Sequence, residues 1–162
     1  MRVHTLLGTC VAIMLWHPAK RIGGMCHYLL PERMANAPKD GAGPGLYADD
    51  VMGLIAGALH GSQTRAEEYV VKIAGGGNMF PEHLVDRACR ADACTAARRA
   101  TCQSIGCKNS SAGRTLLYAA GFTISAENLG GHGSRQVIFD LSCGDVWIKR
   151  GAPISSGTSV AA

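Results

Sequence analysis

Cys10 and His27 stand seventeen residues apart, each in an apolar segment of the chain. A free thiol with a pKa of about 8.5 is a weak nucleophile at neutral pH. An imidazole beside it takes its proton or holds the thiolate as an ion pair, and later protonates a leaving amine. Gly8 and Thr9 precede the thiol with little side-chain bulk. Backbone N–H groups there are candidates for an oxyanion hole. The competing reading is plain packing. A cysteine in an apolar strand ordinarily serves as a small buried hydrophobe, and a lone strand histidine as a core or surface group.

A hairpin is what brings the two side chains together. Leu6 to Leu15 reads as one strand and Ile22 to Leu30 as a second, ended by Pro31. His17-Pro18-Ala19-Lys20 places Pro where a type I turn favours it. A turn centred between Pro18 and Ala19 pairs Leu15 with Ile22 and Cys10 with His27. Directly opposed residues on one sheet face have Cβ atoms about 4.5–5.5 Å apart. Alternation sends Cys26 to the other face, so it is not the partner.

The other elements follow from periodicity. Asp49 to Leu59 has helical spacing, with acids in its first turn. Tyr69 to Ala74 reads as a buried strand, broken by Gly75-Gly76-Gly77. Ser110 or Ser111 caps a helix running to Ala120, with Gly121 past its end. Phe122 to Ala126, Arg135 to Leu141 and Val146 to Lys149 read as strands. Arg33 to Gly45 and Pro81 to Cys107 read as irregular. The fold class is α+β: a layered sandwich of mainly antiparallel sheet with flanking helices. Residues 1–150 form one domain and 151–162 a loose tail.

Composition narrows the classes. The 162 residues are 47% hydrophobic and 17% charged, which excludes a disordered chain and a charged coiled coil. Sixteen Lys+Arg against twelve Asp+Glu give +4, too mild and scattered for a nucleic-acid binder. No run reaches the roughly 18 apolar residues of a membrane span. Leu6 to Trp16 resembles a short export signal, but its most apolar part follows Cys10 rather than preceding it. An odd count of seven cysteines, with no small secreted scaffold in their spacing, reads as a reducing, cytoplasmic setting.

Other features weigh less. Cys89, Cys94, Cys102 and Cys107 could supply four thiolates to zinc. Their C-x4-C-x7-C-x4-C spacing is no standard knuckle, since helical residues five apart lie about 140° apart. No metal and no cofactor is expected. Gly75-Gly76-Gly77 lacks the Gly-Lys-Ser/Thr of a phosphate loop. It reads as close backbone packing or a cleft wall. His132, between glycines, is a second-rank site candidate.

These residues together resemble a known family, the chemoreceptor glutamine deamidases CheD. Leu7-Gly8-Thr9-Cys10-Val11-Ala12 is similar to the family's nucleophile segment. Gly23-Gly24-Met25-Cys26-His27-Tyr28-Leu29-Leu30-Pro31 is similar to its histidine segment, at the family's spacing. Tyr47 to Met52, Lys72 to Phe80, Ile105-Gly106 with Asn109, and Gly130-Gly131 with Arg135 follow in the family's order. The resemblance covers about residues 5 to 150. It implies deamidation of glutamines in the cytoplasmic helices of chemotaxis receptors, some hydrolysis of receptor methyl esters, and a fold similar to toxin-type Cys deamidases. It implies Cys10 as nucleophile, His27 as base, and in some species a complex with the phosphatase CheC. The family's third catalytic group is a Thr six residues before the cysteine. That position is His4 here, and Thr5, one residue later, is the candidate for its role. Members usually carry a further strand upstream, so a truncated start and an unpaired edge on the first hairpin are expected. The alternative classes are a noncatalytic adaptor binding receptors or a CheC-type phosphatase, and a Cys hydrolase of another amide or ester.

Overall fold

The first apolar run is cut in two. In the computed structural model, which describes residues 1–33, 45–80, 102 and 104–151, strands β1 (Arg2–Leu7) and β2 (Val11–His17) are separated by Gly8, Thr9 and Cys10. The two strands lie in different sheets. β1 is the edge of a three-stranded sheet with β6 (Arg135–Asp140) and β7 (Val146–Arg150), in the order β1-β6-β7. β2 lies inside a four-stranded sheet with β3 (Ile22–Tyr28), β4 (Val70–Gly75) and β5 (Ile124–Leu129), in the order β3-β2-β4-β5. The expected single strand from Leu6 to Leu15 is therefore a sheet-to-sheet crossing, with Cys10 at its end.

Burial shows why β2 is central. All seven of its residues are buried, as a strand covered on both faces must be. Val11, Ile13 and Leu15 pack with Tyr28, Val71 and Ile73 against helices α1 (Ala48–Ser62) and α2 (Ile105–Ala119). Ala12, Met14 and Trp16 pack the other way, with Leu7, Val137 and Phe139 of the three-stranded sheet. The layers are helices, four-stranded sheet, three-stranded sheet. Four of the five strand pairings are antiparallel, and the sandwich matches the expected class. The exception, parallel β4 and β5, is bridged by a connection containing α2. That crossover is not visible in hydrophobic periodicity.

The hairpin register differs from the sequence expectation by two residues. His17 pairs with Ile22 and Ala12 with His27. The loop holds four residues rather than a tight turn. Arg21 adopts a left-handed φ of 53° and its N–H closes on the His17 carbonyl at 2.8 Å. The His17 Nδ1 accepts the Lys20 N–H at 3.2 Å. A slip of two preserves alternation, so Cys10 and His27 keep the same face. β3 is the hairpin's edge strand.

Helix α2 begins earlier than Ser110. Its buried face is Gly106, Asn109, Ser110, Gly113 and Leu117, mostly small and polar residues, of which Gly106 and Asn109 lie ahead of the expected cap. They are small because backbone passes close by. A Cβ at Gly76 would overlap the Ser110 hydroxyl, one at Gly106 the Gly76 carbonyl, and one at Gly113 the Tyr28 hydroxyl. The run Gly75-Gly76-Gly77 thus serves close backbone packing. The expected loops at 34–44 and 81–101, and the tail from 152 on, lie outside the described residues.

Gly75 has a φ of 125°, and a Cβ there would overlap the Cys10 carbonyl. Gly75→Ala is expected to cost about 3 kcal/mol or more in urea unfolding. Gly24→Ala, which meets nothing within 4 Å, is expected to stay within about 0.5 kcal/mol.

Candidate active site

Cys10 is half-buried at the point where the chain crosses between sheets. Three neighbours hold the carbonyls of that crossing. Gly77 N–H donates to the Gly8 carbonyl at 2.8 Å and Gly76 N–H to the Cys10 carbonyl at 2.7 Å. Asn109 Nδ2 donates to the Thr9 carbonyl at 2.9 Å. The Thr9 and Cys10 N–H groups meet no acceptor among the described residues. Two donors beside a thiol are what a developing oxyanion requires.

His27 stands opposite Ala12 on β3, on the face that looks into the gap between the sheets. Thr5 looks into the same gap from β1: its burial alternates with the exposed His4 and Leu6. The two meet. Thr5 Oγ1 lies 3.0 Å from His27 Nδ1. The position six residues before Cys10 is occupied by an outward His4, and the inward group is Thr5. The threonine hydroxyl holds the ring through Nδ1; in the tautomer whose Nδ1–H donates to that hydroxyl, the free lone pair falls on Nε2. That nitrogen is buried and has no hydrogen-bond partner. Cys10 does not oppose His27 directly. With Ala12 opposite the ring, position 10 stands on the diagonal from His27, where sheet neighbours lie about 7–8 Å apart. No thiol–imidazole hydrogen bond is made in this structure.

Burial pulls the His27 pKa below its ordinary value, because a desolvated imidazolium is disfavoured. The ring is then a neutral base. Cys26 is kept apart from this chemistry. It packs into the helix-side core and lines an apolar groove of about 350 Å3 together with Leu15, Leu54, Ile55 and Leu59. Burial pushes its thiol pKa up, which makes it a poor nucleophile.

The glycine turns behind Cys10 have a buried backing. Arg135, fully buried, donates through Nε to Asn128 Oδ1 at 2.8 Å and through Nη2 to the Gly130 carbonyl. Desolvation, with Arg150 nearby, pulls its pKa to about 10. His132 bridges to Asn78 on the same pair of turns and its Nε2 is buried without a partner. It makes no bond to Cys10, His27 or Thr5. Of the four cysteines considered for zinc, Cys89 and Cys94 lie outside the described residues. Cys102 is disulfide-bonded, which withdraws it as a thiolate ligand. Among the described residues no three His, Cys, Asp or Glu side chains gather to hold a metal. No described helix is long and apolar enough to cross a membrane.

A family model described as CheD chemotactic sensory transduction matches residues 29–150. The chain belongs to the CheD family. A relative in Pseudomonas savastanoi pv. phaseolicola, named probable chemoreceptor glutamine deamidase CheD, is 40% identical over 149 residues, which is 91% of this chain and 75% of that protein. A relative in Albidiferax ferrireducens, named probable chemoreceptor glutamine deamidase CheD 2, is 38% identical over 155 residues, 96% of this chain and 81% of its own. One in Leptospira interrogans, named probable chemoreceptor glutamine deamidase CheD 1, is 33% identical over 153 residues, covering 93% and 83%. The family model starts just after His27. The Albidiferax match takes in so much of the chain that it spans both Cys10 and His27.

The sign of the His27 shift sets a measurable pH effect in this CheD-family chain. The folded state resists protonating the ring, so its contribution to stability is present above about pH 6.5 and is lost as pH falls from there through the lowered folded-state pKa. In Cys10→Ala, an NMR titration of the His27 ring is expected to show a midpoint below 6.5. A midpoint above it would mean that the site stabilises the imidazolium.

Proposed function

We propose that this chain is a protein-glutamine deamidase, a hydrolase acting on chemoreceptors in chemotaxis, with Cys10 as nucleophile, His27 as general base and acid, and Thr5 orienting the ring. The relatives' shared name over nearly the whole chain carries this reading. The Thr5–His27 contact beside the Cys10 crossing is its chemical counterpart.

The mechanism follows from the named atoms. A side-chain motion brings the thiol to His27 Nε2, which takes its proton. The sulfur attacks the side-chain carbonyl carbon of a receptor glutamine. The new C–S bond pushes the carbonyl electrons onto oxygen, where the Thr9 and Cys10 N–H groups meet them. As the C–N bond breaks, the imidazolium returns its proton to the leaving group and ammonia departs. A water then gives a proton to Nε2 and attacks the thioester. The C–S bond breaks, sulfur recovers the proton and glutamate is released. A glutamyl methyl ester enters the same sequence with methanol leaving in place of ammonia, which supports receptor methylesterase activity as a second outcome. The proposed substrate segment is a cytoplasmic receptor helix, which supports a cytoplasmic setting for the protein. A CheC-type phosphatase is the proposed protein partner, through the same mouth of the sandwich.

A receptor cytoplasmic fragment incubated with the protein is expected to show amide-to-acid mass shifts at defined glutamines. Both Cys10→Ala and His27→Ala are expected to abolish them. Thr5→Val is expected to lower kcat by about 10- to 100-fold, less than loss of the base itself. Mass shifts that persist with Cys10→Ala would refute the assignment. Receptor binding by the wild type with no shift at all would favour a noncatalytic adaptor.

A further inference from the structure

Asn109 is fully buried on the inner face of α2. Its side-chain amide has two hydrogens and both are used. One goes to the Thr9 carbonyl at 2.9 Å and the other to the Leu29 carbonyl at 2.8 Å. Thr9 immediately precedes Cys10, and Leu29 lies two residues beyond His27. Both carbonyls lie just outside the strands, where the sheet ladder no longer fixes them. The residue is itself tethered, since its main-chain carbonyl accepts the hydroxyl of buried Tyr28 at 2.7 Å. The cost is visible: Asn109 Oδ1 is buried with no partner. An unmade hydrogen bond of that kind is unfavourable, so this position is built around its two donors.

The Thr9 carbonyl is not an arbitrary anchor. It shares a planar peptide with the Cys10 N–H. No peptide bond in the described chain is cis, so carbonyl and N–H point in opposite directions. Drawing the carbonyl toward α2 turns the Cys10 N–H away from α2. That N–H meets no acceptor among the described residues.

We propose that Asn109 is a positioning residue that fixes the Thr9–Cys10 peptide plane and so aims the Cys10 N–H at the oxyanion of the acyl-transfer step. The proposal rests on the deamidase reading and adds a residue that touches neither the thiol nor the imidazole by hydrogen bond. It separates two reactions of one thiol. Alkylation by iodoacetamide is a displacement at a saturated carbon and builds no oxyanion. Deamidation does build one.

The test measures both reactions on the full chain. Peptide mass spectrometry follows iodoacetamide labelling at Cys10, apart from the other cysteines, across pH. Receptor-fragment deamidation gives kcat and KM. Asn109→Ala is expected to lower kcat about 10- to 100-fold with KM little changed, and to leave the rate and pH profile of Cys10 alkylation within about twofold of wild type. Asn109→Ser keeps a small donor and is expected to fall between the two, and it is read in the same way if the alanine variant does not fold. Alkylation that falls in parallel with kcat, or kcat unchanged in either folded Asn109 variant, would overturn the proposal. Turnover retained by Cys10→Ala would instead bring down the deamidase reading itself.

Discussion

The structure depends on backbone meeting backbone where the chain passes from one sheet to the other. Gly76 and Gly77 donate to the Cys10 and Gly8 carbonyls at hydrogen-bond distance. A side chain on Gly75, Gly76 or Gly77 would collide with the crossing, with α2 or with Gly133. A buried crossing leaves peptide groups outside any ladder, and each must find a partner inside the protein. The glycine turn satisfies two of the carbonyls and Asn109 a third. Among the described residues the Thr9 and Cys10 N–H groups beside the thiol meet no acceptor. The packing solution and the chemical opportunity are the same feature.

That crossing also explains how Thr5 and His27 come together. They belong to different sheets, twenty-two residues apart, and touch because β1 and β3 both line the gap that the crossing spans. The apolar filling of the gap, from Leu7, Met14, Trp16 and Phe139, sets the spacing between the sheets. The same apolar surroundings disfavour a charged imidazole. Core packing therefore tunes the imidazole as well as placing it.

Much of this was legible in the residues. Alternation alone put Cys10 and His27 on one face and Cys26 on the other, and a register error of two left that result intact. The exact pairing was not legible, because the loop at 18–21 closes through a left-handed Arg21 and a His17 side-chain bond rather than through Pro18. The parallel pairing of β4 and β5 is a tertiary choice with no local signature. Asn109 was noticed only as part of a resemblance. Its signal was available in the spacing of Gly106, Asn109, Ser110, Gly113 and Leu117, a helical face of mostly small residues that extends one turn ahead of the expected cap at Ser110 or Ser111. Thr5 could be named from its neighbourhood to the expected threonine, while the inward direction of its side chain needed the β1 alternation to be seen.

The central claim is that acyl transfer passes through sulfur at the crossing. Its most direct test is intact and peptide mass spectrometry of the protein quenched in acid during turnover of a glutamine-containing receptor peptide. The account predicts a transient adduct equal to the peptide less one ammonia, mapped to Cys10 and discharged by water after the peptide is exhausted. An adduct on Cys26 or on any cysteine other than Cys10, or steady deamidation by the Cys10→Ala protein, would contradict it.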